Sequence, residues 1–297
     1  MFDYKLIQAM AVVIQEGGFE RAGQRLHISQ SAVSQRVKQL EEQSGRILMI
    51  RSTPPKPTAA GQVLLKHYQQ VLSLEQGVRE TLLPESGTRS AVLAIGINAD
   101  SLATWFLGAV RPLLEAEPLT LDLKVADQDQ TLNYLKAGEV MGCISTHDQP
   151  VQGCSMSPLG RMDYRLLATP AFRQRWFARG LSREALAAAP AVLFNRQDRL
   201  HHKLLSRLLG PPPASFPCHY LPSSEQLVAM LLAGLAYGAV PDIQGQPQLT
   251  GGRLVELLPG SSYPVALYWH AWSHRSRLLA ELSGLLTAQA GSGLNGE

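Results

Sequence analysis

Residues 19–41 restrict the fold of this chain more than any other segment. They predict two short helices that meet at a tight turn, His27-Ile28. Ser29 follows the turn and suits the N-cap of the second helix, because its hydroxyl can accept a hydrogen bond from a free backbone N–H. The second helix carries an apolar stripe that we expect to be buried, formed by Val33, Val37 and Leu40. Two helices in this arrangement are typical of a helix-turn-helix.

The face opposite this stripe carries short polar and basic side chains. Glutamine and serine can read base edges when a helix lies in the major groove, and we expect this role for Gln30, Ser31, Ser34 and Gln35. Basic side chains bind phosphates, and we expect this role for Arg36, Lys38, Arg51 and Lys56. Polar rows also occur on ordinary solvated helix faces. The turn spacing and a local excess of positive charge favour DNA binding here.

The flanking residues predict a complete winged helix-turn-helix domain over 1–58. Helical spacing indicates a first helix with a buried face at Leu6, Met10, Val13 and Ile14. A strand over Ile47–Arg51 and the proline-rich segment Thr53–Pro57 predict a wing. Residues 1–60 hold eight Lys and Arg against five Asp and Glu, and the whole chain has a net charge of +3, so the remaining residues are neutral as a set. The positive charge that can meet phosphates is therefore concentrated at one end.

A linker helix and hinge are predicted over 59–90. The helix begins near Thr58 and runs to Leu83, where Pro84 ends it. Its apolar residues recur with a spacing that resembles a coiled-coil seam, and a lone helix has nothing to bury them against, so we expect a partner helix from a second copy of the chain. The residues expected in this dimer seam are Leu65, Tyr68, Leu72, Val78 and Leu82.

Beyond residue 90 the pattern changes to alternating strands and helices. This alternation predicts an α/β domain over 91–297 with mainly parallel sheets. The predicted strands are 91–97, 119–125, 140–145, 164–168, 191–194, 218–221, 236–240, 254–258 and 265–270. The predicted helices include 101–115, 130–137 and 275–288.

Composition and missing motifs argue against several other classes of protein. The three cysteines form no CxxC pair, which fits a reducing compartment. The N-terminus lacks the pattern of a signal peptide, and the most apolar later stretch, Leu227–Val240, is too short to span a bilayer. The histidines lack metal-ligand spacing, and no nucleophile elbow, phosphate loop or zinc helix occurs. We expect a cytoplasmic protein, not an enzyme, without cofactor or metal.

Motifs in both halves of the chain resemble LysR-type transcriptional regulators. In the first half the resemblance lies in the run from Phe19 to Leu40, in Arg51 and in Pro57-Thr58-Ala59-Ala60-Gly61. In the second half it points to the ArgP/LysG branch of that family, through residues 98–105, 138–140, 159–164, 217–219, 223–225 and 267–270. One departure lies in the wing, where the usual Leu-Phe-x-Arg is Leu48-Met49-Ile50-Arg51. Methionine keeps an apolar side chain at that position, so we expect the same fold.

The resemblance implies an architecture, a function and partners. The order would be winged helix-turn-helix, dimerising linker helix and a two-lobed effector domain like periplasmic binding proteins, with lobe I at about 91–163 and 269–297 and lobe II at about 164–268. The chain would sense arginine, lysine or both and control a basic amino acid exporter or related metabolism genes. Its partners would be a dyad-symmetric operator in double-stranded DNA, further copies of the chain in a dimer or tetramer, and RNA polymerase, in the bacterial cytoplasm at the nucleoid.

A ligand site is expected where strands end and helices begin, because ligands of two-lobed α/β domains lie in that cleft. The residues in such positions are Asn98, Asp100, Ser101, Ser145, Thr146, Asn195, Asp198, Ser223 and Glu225. We expect Ser101 and neighbouring backbone N–H groups to hold a carboxylate, and Asp100, Asp198 or Glu225 to hold cationic groups. Asp100 could equally cap a helix, and the other acids could lie on the surface.

Other functions remain open from the residues. The chain could be a LysR-type regulator of a different small molecule, or an architectural DNA-binding protein without ligand. A solute-binding protein or an enzyme on the same α/β scaffold would need neither the basic helix-turn-helix nor the apolar linker helix of residues 1–83.

Overall fold

The structure, a computed structural model, describes residues 2–82, 91–126, 130–210, 213, 215–273 and 276–294. The N-terminal part is a winged helix-turn-helix, as the sequence predicts. Its elements are α1 (Tyr4–Glu16), α2 (Phe19–Leu26), α3 (Gln30–Ser44), β1 (Met49–Ile50) and β2 (Lys56–Pro57). The two short strands pair antiparallel and form the wing.

Local chemistry sets the ends of these helices. Gly17 ends α1 and Gly45 ends α3 in left-handed conformations, with φ of 69° and 63°, which cost glycine little. The hydroxyl of Ser29 accepts a hydrogen bond from the N–H of Ala32 at 3.2 Å, so Ser29 is the predicted N-cap of α3. At the wing, Glu41 Oε1 accepts hydrogen bonds from the N–H groups of Leu48 (2.8 Å) and Met49 (3.3 Å). This carboxylate ties α3 to the wing, and both wing residues are buried.

The linker helix α4 (Ala59–Leu82) buries part of the expected dimer seam within its own chain. Leu65 and Tyr68 are 7% and 8% exposed, because they pack into the N-terminal core of their own chain. Their assignment to the dimer seam is therefore corrected. Leu72 lies farther along the helix and is 43% exposed.

An exposed apolar stripe lies on another side of α4. It consists of Val63, Leu74, Val78 and Leu82, which are between 53% and 71% exposed. These four residues are spaced by 11, 4 and 4 positions, and at 3.6 residues per turn they fall within about 100° of one another. Val78 and Leu82 of the expected seam are thus on the exposed stripe, whereas Leu65 and Tyr68 are not.

The second half of the chain is α/β. Its strands are β3 (Ala91–Asn98), β4 (Leu119–Ala126), β5 (Gly142–Ser145), β6 (Cys154–Ala168), β7 (Ala191–Leu193), β8 (Cys218–Tyr220), β9 (Gly238–Pro241), β10 (Val255–Glu256) and β11 (Tyr263–Trp272). Its helices are α5 (Ala99–Ser101), α6 (Leu107–Ala116), α7 (Thr131–Lys136), α8 (Pro170–Trp176), α9 (Arg183–Ala188), α10 (Leu200–Leu209), α11 (Ser224–Leu232), α12 (Asp242–Thr250) and α13 (Arg277–Gly293). A π-helical turn, Leu102–Phe106, joins α5 to α6.

The main sheet is mixed, which corrects the expectation of mainly parallel sheets. Its strand order is β10-β6-β11-β5-β3-β4, and β9 also pairs with β6. Parallel pairing occurs between β3 and its neighbours β4 and β5, whereas every pairing of β6 and β11 is antiparallel. β7 and β8 form a separate parallel pair.

Strands β6 and β11 run through both halves of the effector domain. We use lobe I for the part built on β3, β4 and β5, and lobe II for the part built on β7, β8, β9 and β10. β6 pairs with β11 from Cys154 to Tyr164, and from Tyr164 onward it pairs with β9 and β10. These continuous strands connect the lobes, and they place the end of β3 opposite the start of α11. In the described residues, no helix is long and apolar enough to cross a membrane.

Candidate functional site

The outer face of α3 presents most of the residues expected to contact DNA. Gln30, Ser31, Gln35 and Lys38 are exposed, whereas Ser34 and Arg36 are half-buried. The exposed side chains are free to enter a groove because Val33, Val37 and Leu40 bury the opposite face completely. Lys38 lies 3.6 Å from Glu42 in an exposed ion pair, a contact too weak to withhold it from a phosphate.

The wing adds two exposed basic side chains beside this helix. Arg51 follows β1 and Lys56 opens β2, and both are exposed. The guanidinium of Arg51 lies 5.9 Å from the ring centre of Phe19, at the start of α2. This contact positions Arg51 at the junction of wing and helix-turn-helix.

A cleft between the two lobes is the second candidate site. Its empty volume is about 510 Å³, a value that includes space open to solvent. Lobe I contributes residues at the ends of β3 and β4, and lobe II contributes residues around β7, α10 and α11. The polar lining residues are Asn98, Asp100, Asp198, His201 and Ser224.

Asp100 connects the two lobes across this cleft. The Tyr164 hydroxyl donates a hydrogen bond to Asp100 Oδ2 at 2.7 Å, and Ser224 Oγ lies 2.5 Å from Asp100 Oδ1. Burial raises the pKa of this carboxyl group, and the nearby charge of Glu225 raises it further, although the two hydrogen bonds act in the opposite direction. The N-cap alternative is not supported, since Asp100 lies within α5 and its carboxylate contacts side chains instead.

Asp198 lies in the cleft and also orders the start of α10. Its oxygens accept hydrogen bonds from the N–H groups of Phe194 (3.2 Å) and Leu200 (2.8 Å). Asn195 Oδ1 accepts from the N–H groups of Gln197 and Asp198. This turn occupies the Asn195 carbonyl, and Asn195 is not among the residues that line the cleft.

Three buried polar side chains around the cleft have no hydrogen-bond partner within the described residues. They are Asn98, through both amide atoms, Ser101, through its hydroxyl, and His201, through both ring nitrogens. Asn98 and His201 line the cleft, whereas Ser101 is fully buried behind it. Burial of such groups without partners is costly, which makes the cleft a place where a polar ligand can gain hydrogen bonds.

The remaining expected ligand residues lie outside this lining. Ser145 is buried and accepts a hydrogen bond from the N–H of His147, and Thr146 lines a neighbouring cavity with Asp148 and Lys203. Ser223 caps α11 by accepting from the N–H of Gln226, and exposed Glu225 contacts the Ser223 hydroxyl. Of the nine expected residues, the structure brings Asn98, Asp100 and Asp198 into one cleft.

Sequence reasoning missed three residues of the site. Ser224 follows the predicted site residue Ser223, and the helix phase of α11 decides which serine faces Asp100. Tyr164 is fully buried in β6 and reaches Asp100 over 64 residues of sequence. His201 is one of the histidines whose spacing in the sequence argues against a metal site. Within the part of the chain that the structure describes, no group of three or more His, Cys, Asp or Glu side chains could hold a metal ion.

The comparisons with known proteins identify a family for both halves of the chain. Residues 4–62 match the bacterial regulatory helix-turn-helix proteins of the lysR family, and residues 86–291 match the LysR substrate binding domain. A relative from Aeromonas salmonicida, named HTH-type transcriptional regulator ArgP, is 45% identical over 97% of this chain and 96% of its own length. Such regulators are not enzymes.

Two solved structures extend the likeness to the full architecture. ArgP from Mycobacterium tuberculosis has a TM-score of 0.86 at 33% identity and covers 100% of both chains. The full-length LysR-type regulator LysG from Corynebacterium glutamicum, with bound effector Arg, has a TM-score of 0.78 at 32% identity and covers 99% of both chains. The chain therefore belongs to the LysR family and is a ligand-responsive, DNA-binding transcriptional regulator with an N-terminal winged helix-turn-helix and a C-terminal two-lobed α/β effector domain.

Proposed function

We propose that the interlobe cleft binds arginine or lysine and that the bound amino acid controls transcription of genes for export or metabolism of basic amino acids. The charge of the lining carries this proposal. Two carboxylates, Asp100 and Asp198, line the cleft, and the described lining residues include no Lys or Arg. A cation removed from water needs an opposite charge close by. The arginine bound to the related LysG protein supports the same class of ligand.

Binding would alter the contact between the lobes. Both oxygens of Asp100 are already paired, one with Tyr164 and one with Ser224 of lobe II. A ligand ammonium group that pairs with Asp100 takes the place of the contact with Ser224. The angle between the lobes then responds to the ligand, and α4 can transmit the change to the DNA-binding heads.

Calorimetric titration of the full-length protein with arginine, lysine and leucine tests the ligand. We expect binding of a basic amino acid and no binding of leucine. Asp198→Asn should weaken arginine binding at least tenfold, because it removes a cleft carboxylate. Asp122→Asn is the matched control, since Asp122 is exposed in β4 and outside the cleft lining. The proposed ligand is wrong if the wild-type protein binds neither arginine nor lysine.

We also propose how the chain engages DNA and other copies of itself. The reading heads are the domain of residues 1–58, carried by the linker of residues 59–90, and 91–297 form the effector domain. Gln30, Ser31, Ser34 and Gln35 of α3 read base edges. Phosphates are bound by Arg36, Lys38, Arg51 and Lys56. Pairing of two chains through α4 presents two heads to a dyad-symmetric operator. Assembly to tetramers and contact with RNA polymerase in the cytoplasm belong to the same proposal.

A further inference from the structure

His201 is a buried polar residue of the interlobe cleft to which no role has been assigned so far. Its side chain is 2% exposed, and neither ring nitrogen has a partner among the described residues. Buried polar groups in proteins almost always have a hydrogen-bond partner, so an unpaired imidazole in a ligand cleft calls for an explanation. A ligand that occupies the cleft can supply the missing partner.

The surroundings of His201 hold its ring in place. The residue lies in the first turn of α10, and its ring packs 5.6 Å from Phe216 and 5.3 Å from Tyr237, measured between ring centres. These aromatic contacts fix the position of the imidazole without using its nitrogens. A phenylalanine could occupy the same space with the same aromatic neighbours, so packing alone does not require a histidine.

The electrostatic state of His201 suits a cationic ligand. Burial, together with a smaller effect of the nearby His202, lowers the pKa of this imidazole to about 3, so the ring is neutral at physiological pH. A neutral imidazole carries one N–H donor and one lone-pair acceptor. It does not repel a cation that Asp198, three residues earlier in the chain, attracts to the cleft.

We propose that His201 is a specificity-determining residue of the cleft and that its imidazole accepts a hydrogen bond from an N–H of the cationic side chain of the effector. This inference rests on the proposed function of the cleft. A guanidinium offers five N–H donors in a planar fork, enough to pair with a carboxylate and with the imidazole together. A neutral aliphatic side chain offers none, so the imidazole would stay unpaired beside it.

The test compares His201→Phe with a neighbouring control, His202→Phe. His202 is exposed, and its ring packs 5.2 Å from the ring of Phe216, but it does not line the cleft. Arginine binding to each full-length protein is measured by calorimetry, with thermal unfolding and operator binding without ligand as checks of folding. We expect His201→Phe to weaken arginine binding about 10- to 100-fold, which corresponds to one hydrogen bond to a charged group. His202→Phe should bind arginine within about twofold of wild type.

Two further measurements complete the test. His201→Gln, which keeps an acceptor, should recover part of the affinity lost in His201→Phe. In the wild-type protein, the imidazole nitrogen NMR shifts of His201 should change when arginine is added. Unchanged shifts, or a folded His201→Phe protein that binds arginine as wild type does, would overturn the role of His201 alone. Failure of the wild-type protein to bind arginine or lysine overturns the proposed ligand together with this inference.

Discussion

Asp100 Oδ1 in lobe I lies 2.5 Å from the Ser224 hydroxyl at the start of α11 in lobe II. This contact holds the two lobes together across the proposed ligand cleft. Burial raises the pKa of the Asp100 carboxyl group, although the hydrogen bond from Ser224 acts in the opposite direction. The negative charge of buried Asp100 is therefore unfavourable for stability, whereas the proposed binding of a cationic ligand requires it.

Asp100→Asn should stabilise the protein and impair its response to arginine. The pKa of Asp100 is higher in the folded than in the unfolded state. Ionisation of this group therefore lowers the free energy of unfolding as the pH rises above the unfolded-state pKa of Asp, and the loss reaches its full size above the raised folded-state pKa. Asparagine does not ionise, so we expect the Asp100→Asn variant to have a higher unfolding temperature than the wild type at pH 7.5. The increase should be about 2–4 °C for each kcal/mol of ionisation cost that the substitution removes. The gain should shrink as the pH falls toward 4. Thermal unfolding of both proteins between pH 4 and pH 7.5 shows whether the substitution raises or lowers the unfolding temperature.

Exposed Asp122 in β4 offers a control for this prediction. Asp122→Asn should leave the unfolding temperature unchanged at both ends of the pH range. A lower unfolding temperature of Asp100→Asn at pH 7.5 would show that the hydrogen bonds to the carboxylate outweigh its burial.

Base reading by α3 is expected to depend on Gln35. Gln35→Ala should cost about 1–3 kcal/mol on the cognate operator and little on random DNA. Gln43→Ala, exposed at the other end of the same helix, should bind both DNAs as wild type does. Binding isotherms on the two DNAs separate these outcomes, and equal loss on both DNAs would show that Gln35 does not read bases.

Phosphate contact by Lys38 has a different signature from base reading. Lys38→Ala should weaken binding to operator and random DNA alike, and it should make the dependence of log K on log salt shallower by roughly 1. A salt titration of the wild type and the variant measures this slope. An unchanged slope would remove Lys38 from the phosphate contacts.

Dimerisation should depend on the exposed stripe of α4. Leu74→Asp with Val78→Asp introduces charges that a dimer seam would bury without partners, so we expect monomers in sedimentation experiments. Leu72→Asp is the informative control, because Leu72 lies on the side of α4 that continues the buried face. Monomers from Leu72→Asp and dimers from the double variant would restore the seam expected from the sequence.

Gly61 should tolerate no side chain. A Cβ at Gly61 would overlap the carbonyl oxygen of Leu48 in the wing, so Gly61→Ala must displace either α4 or the wing. We expect it to lower the free energy of unfolding by about 2 kcal/mol or more. Gly284 lies in α13 with open space around its Cβ position. Gly284→Ala should be neutral or stabilising by up to ~1 kcal/mol; denaturant unfolding compares the two variants.

The sequence by itself determined the helix-turn-helix and most of the secondary structure. These features depend on contacts between near neighbours: Ser29 caps its own helix, Gly17 and Gly45 end theirs, and the apolar residues of α3 repeat at helical spacing. The alternation of strands and helices after residue 90 was also predicted correctly, because the apolar residues of each helix or strand repeat with the period of that element. The family motifs identified the regulator, as the comparisons show.

Tertiary structure alone decided which residues meet. Asp100 contacts Ser224, which is 124 residues away in the sequence. The predicted residue was the preceding serine, Ser223, because the rotation of α11 about its axis is set by how the helix packs. Leu65 and Tyr68 have the spacing of a dimer seam, but the N-terminal core of the same chain covers them first. Periodicity shows that a face is apolar, whereas the partner that buries the face is decided by how the elements pack in three dimensions.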